Sequence, residues 1–241
     1  MYIDDKGIVL RTVRYDDKSF ITHLYTASRG HVAFMVNVSR SKRSGVSARL
    51  FQPLSFLSFQ WDVKPTATLH RMKEVRLLLA LQDIPYNPLK RSVAMLLAEF
   101  LSYALSNEAE NSNLYIYIEH SIRWFDAAPE GYANFHLVFL LKLARFLGFA
   151  PNDEGYSEDS LFDLLRGRFT TKGVPSDDLL SVADASLLYR LSNVTYATMG
   201  SVAMNRHDRV RLVRYLARYF AVHIPAFPAI HSLEVLQEIM G

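Results

Sequence analysis

The spacing of apolar positions along the chain changes its period near residue 80. Before that point, short runs rich in β-branched and aromatic residues are separated by turn-forming clusters, which is typical of β-strands. The run HVAFMVNV, for example, places alternate side chains on one face: Val32, Phe34, Val36 and Val38. After residue 80, apolar residues recur at helical spacing. The pattern therefore predicts a β domain over 1–80 and a helical domain over 81–241.

Five strands are predicted in the β domain. They are the runs GIVLRTVRY, SFITHLYT, HVAFMVNV, FQPLSFLSFQW and ATLHRMKEVRL, with a tight hairpin at Arg29–Gly30. Pro53 is expected to open the fourth strand or lie on an edge, because proline has no N–H to donate to a ladder. Short antiparallel strands without long crossovers close most economically into a small barrel, and the OB-fold is the commonest barrel with five strands. The predicted fold class is α+β multidomain: an OB-fold β-barrel followed by an α-helical domain.

The helical domain contains six predicted helices and one acidic insert. The first helix begins with Asn87 as N-cap and Pro88 at the first helical position. The others are predicted at residues 112–127, 132–147, 184–199, 206–224 and 232–240. The insert covers residues 152–178, and within it LFDLLRGRFTTKG predicts a short hairpin that turns at Arg166–Gly167.

Charge is distributed unevenly between the two parts. The whole chain carries a net charge of +3, yet residues 1–80 hold 13 Lys and Arg against 6 Asp and Glu, a net of +7. Residues 81–241 hold 14 against 18, a net of −4. The basic first part indicates a polyanionic partner for that part alone.

The residue types that carry most catalytic chemistry are missing or scattered. Cysteine is absent, which excludes disulfides, thiolate catalysis and cysteine-based metal sites. The eight histidines show no metal-binding spacing, and neither a phosphate-binding glycine loop nor a nucleophile elbow is present. We therefore expect no enzyme activity, no metal and no cofactor. The acidic start MYIDDKGIVL is unlike a signal peptide, and the apolar stretches are too short to span a membrane, so a cytoplasmic location without a membrane partner is expected.

One serine-rich loop of the β domain is strongly basic. The stretch SRSKRSGVSAR contains four cations and no acid. It is either a solvated loop or a phosphate-binding element. The second interpretation is favoured because surfaces made for solubility usually mix charge signs, and because small residues let backbone N–H groups approach phosphates. With the cations of the adjoining strands, the predicted DNA-binding residues are Arg11, Arg14, Lys18, Arg40, Lys42, Arg43, Arg49, Arg71 and Lys73.

Aromatic side chains are the second component that OB-folds use to bind single strands, because bases stack on them. The candidates are Tyr15, Tyr25, Phe51, Phe56, Phe59 and Trp61. A small barrel needs several large residues inside, so most of these rings are expected in the core. Either Trp61 or Tyr15 is the ring predicted to be exposed.

The helix predicted at 206–224 has one apolar and one basic face. Val213, Leu216 and Phe220 share the apolar face, and the opposite face carries Arg211, Arg214 and Arg218. The arginine face is either ordinary solvated surface or a docking site for an acidic peptide or a phosphate backbone. The second possibility rests on the lack of glutamates at helical pairing distance.

The order of these motifs resembles the RecO family of bacterial recombination mediators and DNA-repair proteins. The matching segments are an opening strand at Ile8–Leu10, a glycine-led strand at Gly30–Val32, the basic loop at Ser39–Ser44 and the run at Phe51–Leu57. FLLKLARFLGFAPN and the closing HIPAFPAIHSLEVLQEI also resemble family segments. The resemblance implies an N-terminal OB-fold, a helical C-terminal domain, binding of single- and double-stranded DNA and annealing of complementary strands.

The family resemblance also implies protein partners. These are RecR and the acidic, hydrophobic C-terminal tail of single-stranded-DNA-binding protein, through which the family helps to load recombinase on coated strands. The tail-binding pocket maps to Phe139, Lys142 and Arg145, where an exposed ring receives an apolar side chain and a cation meets the carboxylate. The alternative for Phe139 is helix core.

This sequence departs from the family in one respect. Many RecO proteins carry a four-cysteine zinc module in the helical domain, whereas this chain has no cysteine and the insert 152–178 stands in its place. No zinc is therefore expected. A different class of function stays open, that of a protein–protein adaptor whose basic barrel binds an acidic partner without nucleic acid.

Overall fold

The computed structural model describes residues 2–37, 47–64, 66–173 and 176–239. The loop cations Arg40, Lys42 and Arg43, and also Val38, lie outside the described residues. Within them, the chain forms two compact units, of which the first ends at Asp126 and the second begins at Ala127.

The first unit contains a closed five-stranded barrel. Its strands are β1 (Tyr2–Arg14), β2 (Ser19–Thr26), β3 (Gly30–Asn37), β4 (Phe56–Asp62) and β5 (His70–Leu79). They are ordered β1-β2-β3-β5-β4, and β4 pairs back onto β1. All pairs are antiparallel except β3 with β5. This is the strand order of the OB-fold, so the predicted barrel is confirmed.

The barrel interior is filled by alternate residues of the strands and by large aromatic rings. Phe34 packs edge-on against both Phe59 and Trp61, with ring centres 5.2 and 5.3 Å apart. The indole N–H of Trp61 donates to the Asp5 carboxylate at 3.1 Å, so the one polar atom of this buried ring has a partner. Because alternate positions of each strand are buried, apolar and polar residues alternate in the sequence, and this alternation predicts the strands.

Pro53 precedes the fourth strand and is not part of it. A short 3₁₀-helix, Ala48–Phe51, is capped by the Ser47 side chain, and the turn that follows leads into β4 at Phe56. In this turn the N–H of Leu54 donates to the Val9 carbonyl at 2.7 Å, and the N–H of Val9 donates to the Ser55 carbonyl. The turn is thus bonded to β1 just where the β1–β2 register shifts, between Val9 and Arg11. The expectation that Pro53 opens the strand was wrong.

Two helices complete the first unit: α1 (Pro88–Ala104) and α2 (Ser112–Ala127). The Asn87 side chain accepts from two backbone N–H groups at the start of α1, as predicted, and Pro88 occupies the first turn. Lys90 is completely buried, and its ammonium lies 2.7 Å from the Asp83 carboxylate and donates to the Asp126 carbonyl at 3.0 Å. These bonds tie the segment after β5 to the end of α2.

The connection between α1 and α2 covers the β2–β3 hairpin of the barrel. The N–H of His31 donates to the Glu108 carbonyl at 3.1 Å, and the Tyr25 hydroxyl donates to the Ala109 carbonyl at 3.2 Å. Gly30 lies directly beneath this connection, with φ of +67°. The barrel ends at Leu79, but the packing unit continues through both helices. The domain boundary predicted at residue 80 stays a prediction.

The second unit is mainly helical. It contains α3 (Phe135–Phe146), α4 (Val182–Ser192), α5 (Arg206–His223) and α6 (Ser232–Ile239), with a 3₁₀-helix at Met199–Ser201. α4 ends seven positions before the predicted residue 199, with Asn193 as its C-cap. Beyond it, Thr195 and Thr198 form a turn in which the Thr195 N–H donates to the Thr198 hydroxyl at 3.0 Å. Such local side-chain bonds compete with the helix and explain its early end.

The acidic insert forms a small sheet of three strands: β6 (Leu161–Asp163), β7 (Arg168–Thr170) and β8 (Leu179–Leu180). The predicted hairpin turning at Arg166–Gly167 is confirmed. Aromatic rings hold the insert in place, since Tyr156 stacks on Tyr189 with ring centres 3.7 Å apart and Phe162 meets Phe169 at 4.9 Å. Aromatic packing therefore stabilises this segment.

His136 is a buried titratable group in the second unit. It is 1% exposed, and its Nε2 atom has no hydrogen-bond partner among the residues that the structure describes. Burial, together with the nearby Arg209 guanidinium, lowers the pKa of His136 from 6.5 to about 3. Between about pH 3 and pH 6.5 the imidazole is therefore neutral in the folded protein, whereas the unfolded chain binds a proton on it.

Acidification is expected to destabilise this unit through His136. Because its folded pKa lies below its unfolded pKa, the unfolded state gains the proton first, and stability is lost as pH falls below 6.5 toward 3. Between about pH 7 and about pH 5 the loss from this group amounts to about 2 kcal/mol. Calorimetry is expected to show that the melting temperature of His136→Gln falls less than that of the wild type when the pH is lowered from about 7 to about 5. The exposed His207→Gln serves as control, and equal acid sensitivity of all three proteins would contradict the assignment.

Candidate nucleic-acid interface

The outer surface of β1, β2, β3 and β5 presents a row of directly paired residues. Val13 pairs with Ile21, Ile21 with Met35, and Met35 with Arg71. Directly paired residues project on the same side of a sheet, so three apolar side chains form a continuous strip that ends at a guanidinium. Val13 is exposed, and Ile21 and Met35 are half-buried. We call this strip the apolar row.

A second row lies one step along the same strands. Arg11 pairs with His23, and His23 with Ala33. His31, two residues before Ala33 on β3, projects on the same outer side. Arg11 is exposed, and the two histidines are half-buried. The outer face of β1–β3 thus combines an apolar row with cations on both sides. In OB-folds this face, centred on strands 2 and 3, is the usual ligand surface.

The His23 and His31 rings on this face are hydrogen-bonded to each other. His23 Nδ1 and His31 Nε2 are 3.2 Å apart, whereas the ring centres are 5.3 Å apart and the planes differ by 18°, so the rings meet through their edges. Burial and the Arg11 charge lower the pKa of His23. Burial, His23 and Arg11 lower the pKa of His31 to about 4. The pair is therefore neutral near pH 7.

The turn between β1 and β2 carries an exposed aromatic ring. Tyr15 is 65% exposed, and its N–H donates to the Ser19 carbonyl at 3.0 Å. The Asp16 carboxylate accepts from the N–H groups of Lys18 and Ser19, both at 2.7 Å. The prediction of an exposed ring at Tyr15 is confirmed. The same prediction for Trp61 was wrong, because that ring is 2% exposed and completes the barrel core.

The described cations of the predicted DNA-binding set all reach solvent. They are Arg11, Arg14, Lys18, Arg49, Arg71 and Lys73. Two have identified partners: Arg14 forms an ion pair with Asp17 at 2.5 Å, and the Lys73 ammonium lies 4.3 Å from the centre of the Tyr2 ring. Arg11 and Arg71 flank the two rows described above. The structure thus brings these two together on one face, whereas Arg14 is locally compensated.

Each arginine predicted on α5 has a side-chain partner: carboxylates for Arg211 and Arg218, and an amide oxygen for Arg214. Arg211 lies 2.7 Å from Asp184 and 2.9 Å from Asp208, and Arg218 lies 2.8 Å from Asp178. Arg214 donates to the Gln237 side-chain oxygen at 2.7 Å. The apolar face of the helix is buried as predicted. α5 itself holds no glutamate at pairing distance, as the sequence shows. Asp208 on the same helix, together with Asp184 and Asp178 from other segments, nevertheless compensates Arg211 and Arg218.

The three residues predicted as a tail-binding pocket lie on α3, and they differ in exposure. Phe139 is 0% exposed, so the prediction of an exposed ring there was wrong: the ring belongs to the helix core. The Lys142 ammonium lies 5.0 Å from the centre of the Tyr196 ring. Burial, together with the nearby Arg145, lowers the pKa of Lys142. Arg145 is exposed and lines a shallow cavity with Leu141, Ala150, Pro151, Asp153 and Ser192.

Across the parts of the chain that the structure describes, no three or more His, Asp or Glu side chains are grouped to hold a metal ion. Among the helices of the described residues, none is both long and apolar enough to cross a membrane.

A closed five-stranded barrel with the strand order β1-β2-β3-β5-β4 defines the chain as a protein of the OB-fold class, whose members bind oligonucleotides or oligosaccharides on the face centred on strands 2 and 3. Comparison with known families gives the assignment. The family model "Recombination protein O N terminal" matches residues 1–80, and "Recombination protein O C terminal" matches residues 85–154. The chain belongs to the RecO family of DNA repair proteins.

Relatives that match over nearly the full chain agree with this assignment. A DNA repair protein RecO from Phocaeicola vulgatus is 43% identical, and the match covers 98% of each chain. The RecO protein of Bacteroides fragilis is 41% identical over 97% of each chain. The RecO protein of Porphyromonas gingivalis is 30% identical over 99% of each chain.

Sequence reasoning missed the non-charged part of the interface. The sequence predicts only strand membership for His23, His31, Ile21 and Met35. The signal was available in the tight hairpin at Arg29–Gly30, because a hairpin sets the register of the strands on either side. Pairing residues outward from that turn places His23 opposite Ala33 and Ile21 opposite Met35.

Proposed function

We propose that this protein binds single- and double-stranded DNA, anneals complementary strands and helps to load recombinase on coated single strands, without enzymatic turnover. The observation that carries the proposal is the outer face of β1–β3, where exposed cations flank an apolar row on an OB-fold. Membership of a DNA repair family supports nucleic acid as the ligand of this face. The place of action under this proposal is the bacterial cytoplasm, at the nucleoid.

The proposed mechanism needs charge and geometry alone. Cations on the barrel neutralise strand phosphates and release condensed counterions, which favours binding entropically. Screening two strands from one another then lets their bases pair. Proton transfer to or from a reacting group has no part in these steps, so a catalytic acid–base pair is not required.

Two protein partners belong to the same proposal. They are RecR and the acidic C-terminal tail of single-stranded-DNA-binding protein. The tail is proposed to bind beside Arg145, whose exposed guanidinium lines the shallow cavity of the second unit. With Phe139 in the core, the exposed ring next to Arg145 is Phe146, which is a better candidate to contact an apolar side chain of the tail.

Salt dependence of oligonucleotide binding tests the proposed function. Fluorescence anisotropy of a labelled single strand is expected to show affinity that falls steeply between about 50 and about 200 mM salt. A log–log slope of about −3 to −5 corresponds to roughly four to seven phosphate contacts, since each contributes about −0.7 on single strands. Absence of binding at low salt would overturn the proposal and favour the adaptor with an acidic protein partner. Magnesium-dependent loss of the DNA would indicate a nuclease instead.

A further inference from the structure

We propose that the apolar row and Tyr15 form a site for unpaired nucleobases, so that the barrel face distinguishes a single strand from a duplex. This inference rests on the proposed function, because it concerns the same face. It differs from phosphate binding in its chemistry. Phosphates are recognised by cations and N–H groups, whereas bases present flat apolar faces only when they are unpaired.

The apolar row is unusual for a surface that only binds phosphate. Val13, Ile21 and Met35 are adjacent across three strands and all reach solvent. From Val13 to Arg71 the row crosses three inter-strand spacings, or about 14 Å. That length corresponds to about four nucleotides at the 3.4 Å spacing of stacked bases, which is within the range of about 4–16 nucleotides bound by one OB-fold.

Tyr15 stands at the end of this surface on a turn that is already ordered by internal bonds. Its N–H and that of Asp16 both donate to the Ser19 carbonyl, and the Asp16 carboxylate accepts from the N–H groups of Lys18 and Ser19. Arg14 is also held, through its bonds to the Asp16 carbonyl and the Asp17 carboxylate. An exposed ring on a fixed turn loses little conformational freedom when a base stacks on it.

The histidine pair gives the centre of the face a neutral surface. His23 and His31 satisfy each other through one hydrogen bond and lie beside Ala33, which leaves room above the sheet. Arg11 adjoins the pair in the same row, and Arg71 ends the apolar row. The groups next to the pair are Arg11, Tyr25, which pairs with His31 between β2 and β3, and the Glu108 backbone. Bases over the neutral centre and phosphates over the two arginines match this distribution.

The test compares Tyr15→Ala with the wild type on three probes: a single-stranded oligonucleotide, a strand of the same length whose sugars lack bases, and a duplex. Loss of one stacking ring is expected to weaken single-strand binding by about 5- to 30-fold. Binding of the abasic strand and of the duplex is expected to change by less than about two-fold, because those probes offer phosphates without accessible base faces. Tyr15→Trp is expected to restore single-strand binding.

Tyr86→Ala is the matched control, since Tyr86 is 82% exposed and lies outside the face. It is expected to bind all three probes like the wild type. Equal single-strand affinity of Tyr15→Ala and the wild type would overturn the base site while leaving the proposed function intact. A uniform loss on all probes would also overturn it, by showing that Tyr15 acts on phosphate binding. Failure of the wild type to bind any probe would instead refute the proposed function.

Discussion

Replacement of Gly30 by alanine is expected to lower the melting temperature of the first unit by on the order of 10–20 °C. Two effects act at this position. Its φ of +67° lies in the left-handed region, which costs a residue with a side chain about 1–2 kcal/mol. In addition, a Cβ atom would lie 2.3 Å from the Glu108 carbonyl oxygen and 2.5 Å from the Ala109 carbonyl carbon. Together they are expected to destabilise the unit by about 3–5 kcal/mol.

The second effect dominates because both clashing atoms are backbone. Relief requires the α1–α2 connection to move away from the hairpin, and movement breaks the His31–Glu108 and Tyr25–Ala109 hydrogen bonds that attach it. The alanine variant is therefore expected to lose contacts at the end of the barrel as well as backbone energy. Tryptophan fluorescence reports this unit, because both tryptophans of the chain, Trp61 and Trp124, belong to it.

Gly131→Ala separates the two effects. Gly131 has φ of +74°, but a Cβ atom there meets nothing within 4 Å, so only the backbone penalty of about 1–2 kcal/mol applies. Differential scanning calorimetry is the suitable measurement, since Gly131 lies in the second unit and calorimetry registers both units. If the two variants were destabilised equally, the close approach of the α1–α2 connection would be without energetic consequence.

The double substitution Arg11→Glu and Arg71→Glu is expected to weaken single-strand binding by on the order of 100-fold at about 0.1 M salt. Each lost phosphate contact accounts for about five-fold at that salt, and the introduced carboxylates add repulsion. Both arginines are exposed on the barrel surface, so their replacement leaves the core untouched. The salt slope is expected to become shallower by about 1.4, at about 0.7 for each contact.

Arg91→Glu with Arg166→Glu is the control for net charge. It makes the same change in total charge at two exposed arginines that lie outside the ligand face, on α1 and in the β6–β7 turn. Affinity is expected to fall far less than in the first double variant. Equal losses in both would show that binding responds to total charge and that the face has no special role. The predicted loop cations Arg40, Lys42 and Arg43 can then be replaced by glutamate, and the loss of affinity compared with that of the first double variant.

The strands and helices could be predicted because burial of one face makes apolar residues recur at a fixed period along the sequence. Period two over HVAFMVNV and period 3.6 in α5 each follow from one face being buried, and local signals such as Asn87–Pro88 marked a helix start. Predictions failed where the answer depended on segments distant in sequence. Exposure of Trp61 was predicted because nothing local shows that Asp5 accepts its N–H. Two of the acids that pair with the α5 arginines, Asp178 and Asp184, were not predicted because they lie in other elements.

By itself, the sequence determined that a basic five-stranded barrel precedes a helical region, and it identified the family through the order of its motifs. These properties depend on local periodicity, turn chemistry and composition, all of which are carried by neighbouring residues. Only the tertiary structure decided which side chains share a surface. Strand register placed Arg11, His23, Ile21 and Met35 on one face, and chain packing placed the α1–α2 connection over Gly30. The physical reason is that strand pairing and chain packing join residues that are far apart in the sequence. Such contacts do not produce a regular spacing of apolar and polar residues.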